Sequence, residues 1–134
     1  APTETANTAR AAQAPPRILV VDAQRANIEM MTELLRARGY VVDAALSGEE
    51  ALMCVRTSAP DLVITGIMLP GLSGYEVCRR LRADPSTALT PVVLVTSLDP
   101  QQERITGIEA GADDFLSKPI KENDFIQILS EAAS

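Results

Sequence analysis

Hydrophobic residues along the chain occur in two kinds of segment, short continuous runs and longer stretches with a helical period. The continuous runs are rich in Val, Ile and Leu, a pattern typical of strands that are buried on both faces of a parallel sheet. They predict five strands, at Ile18–Val21, Val41–Ala44, Leu62–Thr65, Val92–Val95 and Asp114–Ser117.

Each predicted strand is followed by a segment whose apolar residues recur every three or four positions, as on one face of an amphipathic helix. These helices are predicted at 26–38, 47–57 and 74–83, at a fourth segment with Ile105 and Ile108 that ends at Gly111, and at a closing segment with Phe125, Ile128 and Leu129. The second opens with an S-x-x-E capping box at 47–50. Five strand–helix repeats predict a doubly wound α/β fold, a parallel sheet between two helical layers.

In a doubly wound sheet, ligands bind beyond the carboxyl ends of the strands. The residues predicted at that edge are Asp22, Ala23, Gly66, Thr96, Ser97, Lys118 and Pro119. A lysine can offset phosphate charge, a hydroxyl can donate to a phosphate oxygen, and an acid can help to hold magnesium. The alternative is that each residue simply caps a strand end, but their clustering at one edge favours a phosphoryl-handling site.

Length and composition predict one globular domain at residues 17–134, preceded by a linker or tail at 1–16 that is rich in Ala, Thr and Pro and is expected to be disordered. The net charge of −6 and the lack of a concentrated basic face argue against nucleic-acid binding. The chain contains no histidine, which excludes histidine catalysis, histidine metal sites and a phosphohistidine relay within it.

The compartment is predicted from the apolar runs and the cysteines. No run is long enough to cross a bilayer and no signal-peptide pattern is present, so we expect no membrane association. Cys54 and Cys78 fall among apolar residues of predicted helices, without metal-like spacing. We expect both to be reduced core thiols, which suits a cytoplasmic protein.

From Arg17 to about Leu129 the sequence resembles the receiver domain of bacterial two-component response regulators. The resemblance rests on four motifs, ILVVD at 18–22, PDLVITGIMLPGLSGYEVCRRLR at 60–82, PVVLVTS at 91–97 and GIEAGADDFLSKPI at 107–120. It implies a flavodoxin-like sheet with strand order 2-1-3-4-5, and an aspartate that accepts phosphate from a partner kinase.

Three positions of the acidic pocket show where this chain departs from the family pattern. Asp22 matches the first of the family's two adjacent acids, but Ala23 stands at the second, a direct magnesium ligand. Gly66 stands where the resemblance places the phosphoacceptor aspartate. Glycine offers no oxygen for covalent phosphorylation. Asp22 alone is a poor magnesium site, so we expect neither metal nor cofactor, and we expect Lys118 to pair with Asp22.

The other family positions are retained. Thr96 matches the switch hydroxyl, Phe115 the switch aromatic and Lys118 the family's lysine, and Ser97 belongs to the same phosphate-site remnant. Pro119 matches a proline that the family usually joins through a cis peptide bond. The chain is therefore expected to be a degenerate receiver, or pseudo-receiver, and not an enzyme.

The leading hypothesis is a phosphorylation-independent signalling or adaptor domain, fused to other signalling domains. It would act by protein contact or self-association through the fourth helix, the fifth strand and the fifth helix. A competing surface is the first helix, with Met30, Glu33 and Arg36 predicted outward. An inert spacer would show the same sequence pattern.

Two further alternatives stay open. One is a small-anion or nucleotide module that uses the vacated crevice through Thr96, Ser97 and Lys118. The other is a phosphorylated regulator in which the acceptor is substituted, with Asp22, Thr65 or Ser97 as the candidate. None of these three matches the family's nucleophile position.

Overall fold

The computed structural model describes residues 15–96 and 100–132. Five parallel strands form one sheet, β1 Arg17–Val21, β2 Val41–Ala45, β3 Leu62–Gly66, β4 Val92–Thr96 and β5 Asp114–Ser117. The helices are α1 Arg25–Ala37, α2 Gly48–Ser58, α3 Gly74–Ala83, α4 Pro100–Ala110 and α5 Glu122–Ala132. Most of the predicted linker, 1–14, lies outside the described residues. None of the described helices is long and apolar enough to span a membrane.

The strands are arranged in the order β2-β1-β3-β4-β5, which confirms the predicted flavodoxin-like fold. All four neighbouring pairs are parallel, and Ile18 of β1 lies in register with Val42 on one side and Leu62 on the other. The chain order changes direction between β1 and β3, and this switch is where a doubly wound sheet opens a crevice at its carboxyl edge.

Alternate residues of the strands enter two separate hydrophobic cores. Leu19 and Val21 of β1 pack in the core that also contains residues of α2, α3 and α4. Ile18 and Val20 pack in the core that contains residues of α1 and α5. All four side chains are fully buried. Because successive strand residues point to opposite faces, one continuous apolar run supplies both cores of the three-layer fold.

Two serines cap helices on the side of the sheet that faces α2 and α3. Ser47 precedes α2 and its hydroxyl accepts a hydrogen bond from the Glu50 amide at 3.1 Å, as the capping box predicted. Ser73 precedes α3 and accepts from the Glu76 amide at 3.2 Å, an S-x-x-E cap that the sequence reasoning did not identify. Each cap is worth about 1 kcal/mol of helix stability.

The fourth helix buries small residues instead of large ones. Ile105 and Ile108, from which the sequence predicts this helix, are 54% and 63% exposed. Among residues 101–110 the buried positions are Gly107 and Ala110. Small side chains let the helix lie close to the sheet, and the two isoleucines then point outward.

Three smaller differences concern the ends of two strands and one residue of α1. Strands β3 and β4 each run one residue farther than predicted, so Gly66 and Thr96 are the last residues of their strands. The longer ladder keeps Gly66 in register with Val95. Met30, predicted to face outward, is half-buried against the core of α1 and α5. Both cysteines are free, as predicted.

Candidate functional site

Four of the predicted site residues come together at the carboxyl edge of the sheet. Asp22 follows β1, Gly66 ends β3, Thr96 ends β4 and Lys118 follows β5. These strands are consecutive in the sheet, so their ends form one crevice. The backbone also joins the neighbouring ends of β4 and β5, because the Lys118 amide donates to the Thr96 carbonyl at 2.8 Å.

The Asp22 carboxylate lies in this crevice, and each of its oxygens has a close contact within the chain. Oδ1 accepts hydrogen bonds from the Gln24 amide at 2.8 Å and from Asn27 Nδ2 at 3.3 Å. Oδ2 lies 3.2 Å from the ammonium nitrogen of Lys118. That contact is an ion pair without good hydrogen-bond geometry, since Oδ2 has no hydrogen-bond partner in the described structure. The predicted pairing of Lys118 with Asp22 is present.

The ion pair is asymmetric in its exposure to water. The Asp22 side chain is 3% exposed, whereas that of Lys118 is 29% exposed. A buried carboxylate needs a nearby positive charge and donated hydrogen bonds to offset its lost hydration. Lys118 supplies the charge, and Gln24 and Asn27 at the start of α1 supply hydrogen bonds to Oδ1. The charge of Asp22 is thus offset by the chain's own residues, although Oδ2 accepts no hydrogen bond.

Gly66 leaves the space beside this carboxylate without a side chain. A Cβ atom built at Gly66 would lie 3.4 Å from Asp22 Oδ2 and 3.7 Å from the Val21 carbonyl oxygen, which are ordinary contacts. Gly66 is also not among the glycines with positive φ. The backbone therefore does not require glycine here. Glycine is required instead at position 74, because a Cβ atom there would overlap the Gly66 carbonyl oxygen.

The residues at this edge do not fit a magnesium ion. Magnesium needs near-octahedral oxygen coordination and is held by carboxylates together with phosphate oxygens or water. Ala23 is exposed and offers no side-chain oxygen, and Gly66 offers none either. Asp22 is already bonded to two N–H groups and paired with Lys118. Nowhere in 15–96 and 100–132 do three His, Cys, Asp or Glu side chains gather in a metal-holding group.

The two residues predicted to form a switch, Thr96 and Phe115, both lie inward. Thr96 is buried, and its hydroxyl donates to the Leu116 carbonyl of β5 at 3.3 Å. Phe115 is 9% exposed and its ring packs against Gly107 of α4. The Arg104 guanidinium covers the ring at 5.1 Å from its centroid, a cation–π contact.

The remaining predicted positions have mixed outcomes. The Lys118–Pro119 peptide bond is cis, as the resemblance implied. Ser97 lies outside the described residues, so its predicted place in the crevice stays a prediction. Sequence reasoning missed Gln24 and Asn27, which hold the Asp22 carboxylate. Gln24 donates through its backbone amide, so the residue type at position 24 gave no signal, and an asparagine five positions after Asp22 does not by itself specify the contact.

A further missed contact holds the loop after β3. The Glu49 carboxylate accepts a hydrogen bond from the Leu72 amide at 3.1 Å. It also lies against Gly71, whose φ of +72° favours glycine. Residues 71–72 are thereby tied to the first turn of α2. No local pattern predicts this contact, because the partners are 23 positions apart.

An α/β module with a four-strand crevice and a lysine on a cis peptide bond is the architecture of receiver domains. The family model "Response regulator receiver domain" matches residues 18–130, and the chain belongs to this family. Response regulator PleD of Caulobacter vibrioides is 46% identical over 104 residues, which cover 78% of this chain and 23% of PleD. The phosphate regulon regulatory protein PhoB of Rhizobium meliloti is 41% identical over 104 residues, 78% of this chain and 46% of PhoB. The chain spans less than half the length of both relatives.

Solved structures agree with this assignment. A putative response regulator from Chloroflexus aurantiacus superposes with a TM-score of 0.84 at 36% identity, covering 90% of this chain and 99% of that chain. The receiver domain of sensor histidine kinase PA1611 from Pseudomonas aeruginosa superposes with a TM-score of 0.82 at 29% identity, covering 90% of this chain and all of the other. That receiver has a magnesium ion coordinated in its active-site cleft.

Proposed function

We propose that this receiver domain works without being phosphorylated, as an adaptor that signals through protein contacts in a two-component-type pathway. The observation that carries the proposal is Gly66, which ends β3 beside the Asp22 carboxylate. The family resemblance places the phosphoacceptor there. Phosphorylation of a carboxylate requires its oxygen as the nucleophile, and glycine has none.

The charges around Gly66 support this proposal. Lys118, which would otherwise be available to a phosphoryl group, is paired with Asp22 at 3.2 Å. Any anion entering the crevice has to compete with a buried carboxylate for this lysine. The pairing of Lys118 with Asp22 also weighs against the alternative that the crevice binds a small anion or a nucleotide.

The position of the switch residues supports a fixed signalling state. Thr96 and Phe115 are both buried, and Arg104 covers the aromatic ring. A two-state element changes its population only when a ligand binds the two states with different affinity. With no phosphoryl group formed at Gly66, the element keeps one arrangement. The surface next to Thr96 and Phe115 is therefore suited to a constitutive contact with another protein.

We assign that contact to the face formed by α4, β5 and α5, where Ile105 and Ile108 are exposed. The competing face is α1, whose Glu33 and Arg36 are exposed as predicted. Charge reversal at Arg104 and, separately, at Arg36 compares the two faces. Partner binding or self-association should weaken with Arg104→Glu and should be unchanged with Arg36→Glu. A loss with Arg36→Glu alone would move the contact to α1.

The experiment that tests phosphorylation independence is an amide NMR spectrum recorded with and without acetyl phosphate and magnesium. The spectrum of α4, β5 and α5 should stay unchanged. The PleD receiver, which is similar in sequence, serves as the comparison under the same conditions. Shifts concentrated around Asp22 or Thr65 in this chain would show a substituted acceptor and would contradict the proposal. We further propose a cytoplasmic location and fusion to other signalling domains.

A further inference from the structure

A cavity of about 510 Å³ lies between the carboxyl ends of α2 and α3 and the loop 84–91 that follows α3. Because each helix returns the chain to the amino edge of the parallel sheet, this cavity lies at the opposite end of the domain from the crevice. The buried apolar residues of its lining are Val55, Pro60 and Leu81. The cavity therefore offers an apolar surface to an aliphatic side chain that enters it.

Leu89 projects from the loop that lines this cavity. Thr87 and Thr90, which bracket Leu89 in sequence, are lining residues, yet Leu89 itself is 94% exposed. Among the described residues no other large hydrophobic residue is as exposed, and the next is Met68 at 74%. Because removing a leucine side chain from water is favourable, a contact that buries Leu89 would be stabilised by it.

Hydrogen bonds on both sides hold Leu89 in its exposed position. Nη1 of Arg82 donates to the carbonyl of Ala88 at 3.2 Å and to that of Thr90 at 2.6 Å. The Thr90 amide also donates to the Thr87 carbonyl at 3.0 Å. The backbone around Leu89 is thus fixed before anything binds, and preorganisation of this kind lowers the entropy cost of a contact.

We propose that the cavity and Leu89 form a contact between two copies of this chain, in which Leu89 of each copy enters the cavity of the other. A two-fold contact joins the same surface patch of both copies, so one patch has to supply both complementary halves. Here the projecting leucine and the cavity share the loop 84–91 and therefore lie in one patch. This self-complementarity favours a second copy over a different protein, which would have to bring a matching side chain of its own.

The charged residues of the cavity lining, Arg56, Arg80 and Asp84, are of both signs. Arg80 is paired with Glu76 at 3.7 Å, and Asp84 accepts hydrogen bonds from the amide and the hydroxyl of Ser86. A mixed lining does not place only like charges against each other across a two-fold axis. The contact therefore depends on the burial of Leu89 and not on an excess of charge.

This dimer uses α2, α3 and the segments that follow them, where all the cavity's named lining residues lie. The face formed by α4, β5 and α5 is then left to a different protein. The two contacts can be tested separately, because Leu89 and Arg104 lie in different elements.

Sedimentation equilibrium of this chain over a range of concentrations tests the proposal. The chain should form a dimer, and Leu89→Ser should raise the dimer dissociation constant at least about tenfold, because each dimer loses two buried leucine side chains. Arg56→Trp places a bulky side chain at the cavity and should raise the constant as well. The matched control is Met68→Ser, which removes the other highly exposed apolar residue and should leave the constant unchanged. Leu89, Arg56 and Met68 are all exposed, and thermal melts check that each variant is folded.

Three results would overturn the proposal. The first is a chain that stays monomeric up to about 1 mM, which would leave the patch to a different protein. The second is a dimer that Leu89→Ser weakens no more than Met68→Ser does. The third is a dimer that Leu89→Ser weakens and Arg56→Trp does not, which would show that Leu89 does not enter the cavity. None of these results bears on phosphorylation, so the dimer can fail while the phosphorylation-independent function stands.

Discussion

Gly107 of α4 is the residue that lets the Phe115 ring lie inward, and replacing it with alanine should test that packing. A Cβ at Gly107 would lie 2.5 Å and 2.8 Å from two ring carbons of Phe115, and 2.9 Å from Leu94 Cδ1. Real side chains essentially never show contacts this short, so the ring or the helix has to move. The Arg104 guanidinium also lies over this ring, 5.1 Å from its centroid.

Two effects of opposite sign decide the result of Gly107→Ala. Alanine favours the helical state over glycine by about 1 kcal/mol. Overpacking a filled core costs about 1–3 kcal/mol. Because two of the three short contacts are with a ring that is 9% exposed, we expect the packing term to win. The net loss of unfolding free energy should be about 1 kcal/mol.

A double-mutant cycle separates the two terms. Leucine at position 115 lacks the distal ring carbons, so Gly107→Ala made in the Phe115→Leu background should be neutral or stabilising by up to about 1 kcal/mol. Unfolding free energies come from urea titrations followed by far-ultraviolet circular dichroism. If Gly107→Ala stabilises the original chain by the full helix-propensity gain, the ring is not held against Gly107 and the buried position of Phe115 is wrong.

Three further predictions concern groups that the structure ties down. Lys118→Met should lower the unfolding free energy by about 1–2 kcal/mol, because it leaves the Asp22 carboxylate without a counter-charge. Lys118→Arg keeps the positive charge and should lower it by less. Equal losses for the two variants in urea titrations would contradict the ion pair. Arg82→Met should lower the unfolding free energy by about 2–4 kcal/mol, because the Arg82 guanidinium donates hydrogen bonds to the carbonyls of Gly111, Ala88 and Thr90 and to the Asp113 carboxylate. A melting temperature close to that of the unmodified chain would disprove this structural role. Burial raises the pKa of the Cys78 thiol above its usual 9.0, so the folded chain prefers the neutral thiol and loses stability as the pH rises above 9.0. Cys78→Ala should remove that part of the high-pH loss, and an unchanged pH profile would count against the assignment.

The sheet could be predicted from sequence because its strands are buried on both faces. Ile18 to Val21 is a continuous apolar run whose four side chains fill two cores, and few other structures produce such a run. The orientation of α4 could not be predicted in this way. Its large apolar residues point to water, while its buried positions hold Gly107 and Ala110. A pattern drawn from large side chains alone assigns the wrong face to such a helix.

The candidate site shows the same division. Asp22, Gly66 and Lys118 could be predicted to lie together because doubly wound sheets bind ligands at the carboxyl edge. The contact of Lys118 with Asp22, at 3.2 Å, could be predicted from their opposite charges. The hydrogen bonds from Gln24 and Asn27 depend on how α1 starts. That local geometry depends on tertiary packing, which no sequence pattern near Asp22 specifies.

The central claim is that Gly66 removes phosphoacceptance from a receiver fold. It is tested most directly by the intact mass of this chain after incubation with acetyl phosphate and magnesium, with Ala23→Asp plus Gly66→Asp as the comparison variant. A Cβ at position 66 would make only ordinary contacts, 3.4 Å from Asp22 Oδ2, and a thermal melt checks that the variant is folded. The account predicts no phosphoryl gain for the original chain and a hydroxylamine-labile gain for the variant. A stoichiometric, hydroxylamine-labile phosphoryl group on the original chain would contradict it.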